Sequence, residues 1–174
     1  MKNLAVILGV IGLALSFCQT ARADDRNTPL LDESFAREAA QGGLAEVKLG
    51  QLAVDQGTNP EVRKFGQRMV DDHSKANQEL MTILEKKGIA APGMLDREHQ
   101  NMLEGLSRTT GSNFDRMYIS HMVKDHEQDV QLFEKEATKG QDPDIRTFAE
   151  KTLPIIKEHL QMAKDLMSAG NRGR

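Results

Sequence analysis

Apolar residues recur every three or four positions along four long segments and never alternate. This periodicity commits the chain to helices packed on one another. The first segment is predicted from Asp32 to Gln56, with an inward stripe of Phe35, Ala39, Gly42, Glu46, Leu49 and Ala53. Asn59-Pro60-Glu61 opens the second, combining a capping side chain, a proline at the first helical position and an acid at the positive dipole end. Its stripe is Val62, Phe65, Met69, His73, Ala76, Leu80 and Ile83, and Lys86-Lys87-Gly88 reads as its stop. The third main helix, from Asn113 to Ala137, carries Ile119, Met122, His126, Val130, Phe133 and Ala137. Asp142-Pro143-Asp144 starts the fourth, with Ile145, Phe148, Thr152, Ile155, His159, Met162 and Leu166 on its stripe. Pro154 lies inside that helix, where it removes one backbone donor and is expected to kink or widen the turn before His159.

Two short connections and one long one organise these helices. Residues 89–112 form the long connection, with Asp96 placed to cap a short helix through Leu106. Gly57-Thr58-Asn59-Pro60-Glu61-Val62-Arg63-Lys64-Phe65 is echoed by Gly140-Gln141-Asp142-Pro143-Asp144-Ile145-Arg146-Thr147-Phe148, which points to two related α-hairpins. A second echo, Met69 to His73 against Met122 to His126, crosses that frame and fits a shared local environment. Short loops force antiparallel neighbours, so the fold class is all-α, an antiparallel four-helix bundle over 32–169. Residues 24–31 are a lead-in and 170–174 a frayed tail.

The first 23 residues are read as a signal peptide. Lys2 precedes an apolar run from Leu4 to Phe17, and Ala21-Arg22-Ala23 has the small-x-small pattern of a cleavage site. Lipid attachment at Cys18 is the alternative, but bulky Phe17 stands where a small residue is expected, which favours plain secretion to the periplasm or outer-membrane association. Loss of the leader removes the single cysteine and with it any disulfide, thiolate ligand or thiol nucleophile. It also takes the basic residues from 23 to 21 against 26 acidic ones, a formal net charge of −5. With no basic cluster, nucleic acid is not the expected partner. No later apolar run is long enough to cross a membrane.

Each main helix places a metal-ligand residue at the middle of its apolar stripe: Glu46, His73, His126 and His159. Mid-helix positions of an antiparallel bundle share a height, so the four are expected in one core layer. Burying such groups without partners costs on the order of 1–3 kcal/mol each. Three imidazoles and a carboxylate suit one zinc, copper or iron ion. The acids preceding the histidines, Asp72, Asp125 and Glu158, are candidates to orient the second ring nitrogens. Because successive helical residues point about 100° apart, such an acid serves a histidine on a neighbouring helix more easily than its own. The alternative is a metal-free Glu/His hydrogen-bond network that fixes helix register, in an envelope scaffold or interaction module. Met69, Met122 and Met162 lie one turn from the histidines; thioethers suit Cu(I), though packing is their commoner role. His99 and His121 fall outside the layer. Gly42-Gly43 is read as close helix packing and Ser34 and Ser112 as caps. Beyond this candidate site nothing in the sequence resembles a catalytic constellation, and an enzyme would have to use an open position on the metal.

The export signal, Phe35-x-x-x-Ala39 with inward Glu46, Met69-x-x-Asp72-His73, the Tyr118 to His126 segment and Thr152-Leu153-Pro154 followed by His159-Leu160 together resemble the bacterial domain-of-unknown-function family DUF4142. The resemblance covers residues 32–168 and implies a ferritin-like bundle in an exported protein, with no assigned reaction. Ferritin-like di-iron proteins carry Glu-x-x-His on two helices. Here Val70, Val123 and Ile156 stand three residues before the histidines. The bridging carboxylates of a di-iron centre are therefore missing, and the expectation is a mononuclear site.

Overall fold

The capping signals act where the sequence places them. In the computed structural model, which describes residues 29–172, Asn59 Oδ1 accepts the Glu61 N–H at 2.9 Å and starts a helix at Pro60. Gly88, at φ 68°, turns that helix off in the left-handed conformation, and the Ile89 N–H closes the end on the Leu84 carbonyl. Asp96 caps the short helix through the His99 N–H, and Asp142 caps the last helix through the N–H groups of Asp144 and Ile145. The five helices are α1 Leu30–Gln56, α2 Pro60–Lys87, α3 Arg97–Ser107, α4 Gly111–Lys139 and α5 Pro143–Arg172. The proposed leader lies outside the described residues. Ser34 and Ser112 are not caps, because α1 and α4 begin before them, at Leu30 and Gly111. Helix α5 remains α-helical through Pro154 and on to Arg172.

The arrangement is a helical bundle of two hairpins. Helix α1 packs along α2 and α4 along α5, while α2 against α5 and α1 against α4 join the hairpins. Helix α3 lies on α1 and α4. The sequence echo marks the two hairpin turns, and each turn is held by an aspartate from the other hairpin. Asp115 of α4 accepts the N–H groups of Thr58 and Asn59, both at 2.9 Å. Asp32 of α1 accepts those of Gln141 and Asp142 at 2.8 and 3.2 Å. Arg63 and Arg146, equivalent in the echo, donate back to the carbonyls of Gly57 and Gly140.

Close approach within the first hairpin depends on two glycines. A Cβ on Gly66 would stand 2.8 Å from the Ala53 Cβ and the Gly50 carbonyl, and one on Gly50 would stand 2.8 Å from the Gly66 carbonyl. Gly43 is similarly pressed against Asn77, whereas Gly42 has open space beside it. Below and above the centre the apolar side chains form two separate clusters. One contains Phe35, Leu80, Leu84, Phe133, Ile145, Phe148 and Ile156. The other contains Leu49, Phe65, Met69, Phe114, Tyr118, Ile119 and Met122. On α5 the inner position is Ile156, 2% exposed, and not Ile155 at 37%. At 100° per residue Ile156 falls about 20° from the buried Ile145, Ala149 and Ala163, whereas Ile155 is turned about 80° or more away from them.

A charged cluster closes the end near the α4–α5 turn. The Lys87 side chain is 0% exposed and pairs with Asp142 at 2.8 Å and Asp144 at 3.2 Å. Beside it, burial together with the contact and charge of Asp32 pushes the Glu136 carboxyl up to about 8. Burial opposes the charge of Asp32, but its bonds to Glu136 and to the backbone of Gln141 and Asp142 outweigh that and hold it below the usual range.

Gly66→Ala should lower stability by about 1–3 kcal/mol through overpacking of α1 on α2, read as a reduced thermal midpoint; an unchanged midpoint would show that the helices separate freely. Glu136 ionises near 4.5 in the unfolded chain but near 8 in the fold, so its stabilisation is full below about pH 4.5 and is lost as pH rises through about 8. Thermal midpoints should fall across that window, and Glu136→Gln should flatten the profile. A variant retaining the wild-type slope would assign the slope to another group.

Candidate metal centre

Between the two apolar clusters lies a layer of ionisable side chains. His73 comes from the middle of α2, His126 from α4 and His159 from α5, and all three are buried. Each offers a ring nitrogen within 4.8 Å of those of the other two. The ring centroids stand 5.3–5.8 Å apart. His73 Nε2, His126 Nε2 and His159 Nδ1 have no hydrogen-bond partner.

Their opposite nitrogens explain why. His126 Nδ1 lies 3.0 Å from the Met122 carbonyl oxygen, which can only accept, so Nδ1 carries the proton. His159 Nε2 lies 2.9 Å from Asp72 Oδ2. That carboxyl is held below its usual range: burial opposes its charge, but bonds from Arg68 and His159 and the Arg68 charge prevail. It too accepts, so Nε2 is the donor. In neutral rings the remaining nitrogens, His126 Nε2 and His159 Nδ1, are bare lone pairs. His73 can bring at most one N–H to the pair of them. One lone pair is left without a donor in a buried site, unless a cation meets all three.

The rings are neutral in ordinary solution. Burial, then the neighbouring His126 and His159, pushes His73 down to about 3. Burial and His159 bring His126 to about 4, against smaller opposing effects of Asp125 and the Met122 carbonyl. Burial also lowers His159, partly offset by Asp72. A ligand that is already neutral gives up no proton to a metal. Nitrogens bound tetrahedrally at about 2.05 Å stand roughly 3.3 Å apart, so side-chain adjustment of about an ångström would suffice.

Glu46 does not join this triad as the sequence suggests. It is 1% exposed and falls into a second group with Asp125 and His126, whose ligand atoms lie within 4.8 Å of one another. Its Oε1 is 3.8 Å from His126 Nδ1, the nitrogen facing away from the triad. Although α1 packs along α2, which carries His73, its Glu46 side chain turns to α4 and meets Asp125 and His126 there. Burial, and then the contact and charge of Asp125, push the Glu46 carboxyl well up, while Asp125 itself is held below its usual range. Glu46 is thus the protonated partner.

Of the acids preceding the histidines, Asp72 serves a histidine on the neighbouring helix, Asp125 faces Glu46, and Glu158 pairs with Arg68 at 3.3 Å. Arg68 also grips Asp72, so an Arg68–Asp72–His159 chain leads inward from the surface. Met69 and Met122 are packed in the second apolar cluster, with Met162 against it. His99 bonds Asp96 at 2.9 Å, and His121 is half-buried; neither belongs to the triad. Tyr118 and Asp129 were not legible as part of this layer. Their only sequence signal is spacing, since Tyr118, Asp125 and Asp129 stand seven and four apart on one side of α4.

A family model described as "Domain of unknown function (DUF4142)" matches residues 18–166. A search of curated proteins finds no match. Among solved structures the chain is similar to a DUF305 fragment from Deinococcus radiodurans, with a TM-score of 0.71 at 13% identity, over 82% of this chain and 98% of that one. At that identity the likeness concerns the fold alone.

In metal-free protein, long-range proton–nitrogen NMR should show His126 as the Nδ1–H tautomer and His159 as the Nε2–H tautomer. Since their pKa values lie below the ordinary 6.5, acidification to pH 5 should leave His73 and His126 neutral. An imidazolium signal from either at pH 5 would contradict the geometry.

Proposed function

The chain belongs to the DUF4142 family, and we propose that it is an exported, ferritin-like four-helix protein that holds one transition-metal ion on His73, His126 and His159. The tautomer conflict carries this reading: two bare lone pairs and at most one N–H converge in a buried site. Zinc, copper and iron all accept three imidazoles. The Met122 carbonyl and Asp72 would then orient two of the three rings, as partners of metal-bound histidines do. Three protein ligands leave a coordination position open, which suits transfer or storage of the metal as well as a structural role. The leader and the acidic mature chain support delivery to the periplasm.

A metal-free network remains the competing reading. Glu46 and Asp125 can share a proton between them, a contact that needs no metal. The triad has no equivalent.

Elemental analysis of mature protein, purified from periplasm without chelator, should find about one zinc, copper or iron per chain. His126→Ala should abolish that metal and lower the thermal midpoint. Mass spectrometry should place the mature N-terminus at Asp24. No metal in the wild type, and none taken up on titration, would leave the histidines as a structural network.

A further inference from the structure

A column of carboxyl groups runs beside the triad, between α1 and α4. Glu46 on α1 meets Asp125 on α4, and Asp129, one turn on, bears on both by charge. Glu38, two turns before Glu46, bears on Asp129. Glu46 is fully buried and Asp125 and Asp129 are half-buried. Both oxygens of Glu46 lack any N–H or O–H donor, and so does the buried hydroxyl of Tyr118, close enough to feel the Glu46 charge. Among the described residues no lysine or arginine forms an ion pair with Glu46, Asp125 or Asp129; the basic group against Glu46 is His126, at 3.8 Å.

We propose that Glu46 and Asp125, with Asp129 behind them, form a second cation site that takes an oxygen-preferring divalent ion such as Mn2+. Carboxylates from facing helices repel unless a proton or a cation lies between them. A divalent ion neutralises two of them at once and uses the idle oxygens of Glu46. The carboxylate donor set is the oxygen-rich kind that Mn2+, Mg2+ or Ca2+ prefers, unlike the nitrogen-rich triad. The two sites touch only through the His126 ring. The triad uses its Nε2, while Nδ1, bonded to Met122, faces the carboxylates. The chain therefore has room for two chemically different ions.

The test is Mn2+ binding to the full mature chain, followed by loss of the free Mn2+ electron-spin signal, with and without prior saturation by Zn2+. One Mn2+ per chain should bind in addition to zinc. Glu46→Gln and Asp125→Asn, each checked for an intact helical spectrum, should weaken Mn2+ binding by about tenfold or more and leave zinc content unchanged. His73→Ala should lose zinc and keep Mn2+. The site is overturned if wild-type protein takes up no Mn2+, if zinc displaces it one for one, or if both carboxylate variants bind it as the wild type does. Should one variant fail to fold, the other decides. Failure of the triad reading is distinguishable, since it would appear as absent zinc with the Mn2+ results intact.

Discussion

The protonation of three imidazoles constrains the rest of this structure. A ring nitrogen bonded to a carbonyl or a carboxylate must be the donor, so its opposite nitrogen must be bare. The Met122 carbonyl and Asp72 impose that choice on His126 and His159 from outside the triad. Everything around the layer serves to hold the choice fixed. Arg68 keeps Asp72 ionised, and the apolar clusters on either side leave the rings little solvent with which to trade partners.

The layer also explains the division of the core. A bundle of this length could bury one continuous apolar stripe, and four uniformly apolar stripes can slide past one another with little penalty. Here the stripe is interrupted on all four long helices at the same height. Slipping α2 against α5 by one turn would carry His73 off His159 and against apolar side chains of α5 such as Ile156, stranding it there. The polar layer therefore fixes register, and it does so whether or not an ion is present. Packing of Gly50 on Gly66 fixes the same register in the first hairpin by shape.

Much of this was readable in the sequence because helical periodicity is a one-dimensional signal. The turns, the caps at Asn59, Asp96 and Asp142, and the paired hairpins are all local events within a few residues. The identity of the buried histidines followed from their place on the stripes. Which of them meet did not, because that depends on how far each helix is rotated about its axis. Glu46 sits on the stripe of α1 yet faces Asp125, since the rotation of α1 turns it toward α4. Ile155 and Ile156 differ by one position, too fine a distinction for a pattern of threes and fours. Asp32 and Asp115 were invisible for another reason: their partners lie 109–110 and 56–57 residues away.

Those two aspartates bear on how the chain folds. An isolated pair of helices is only marginally stable in water, and its turn normally supplies its own hydrogen bonds. In this protein each turn takes two further hydrogen bonds from an aspartate of the opposite hairpin, so neither hairpin is complete before they dock. The natural unit of cooperativity is then the whole bundle. Such reciprocity suppresses half-folded species, whose exposed stripes would otherwise invite association with other chains.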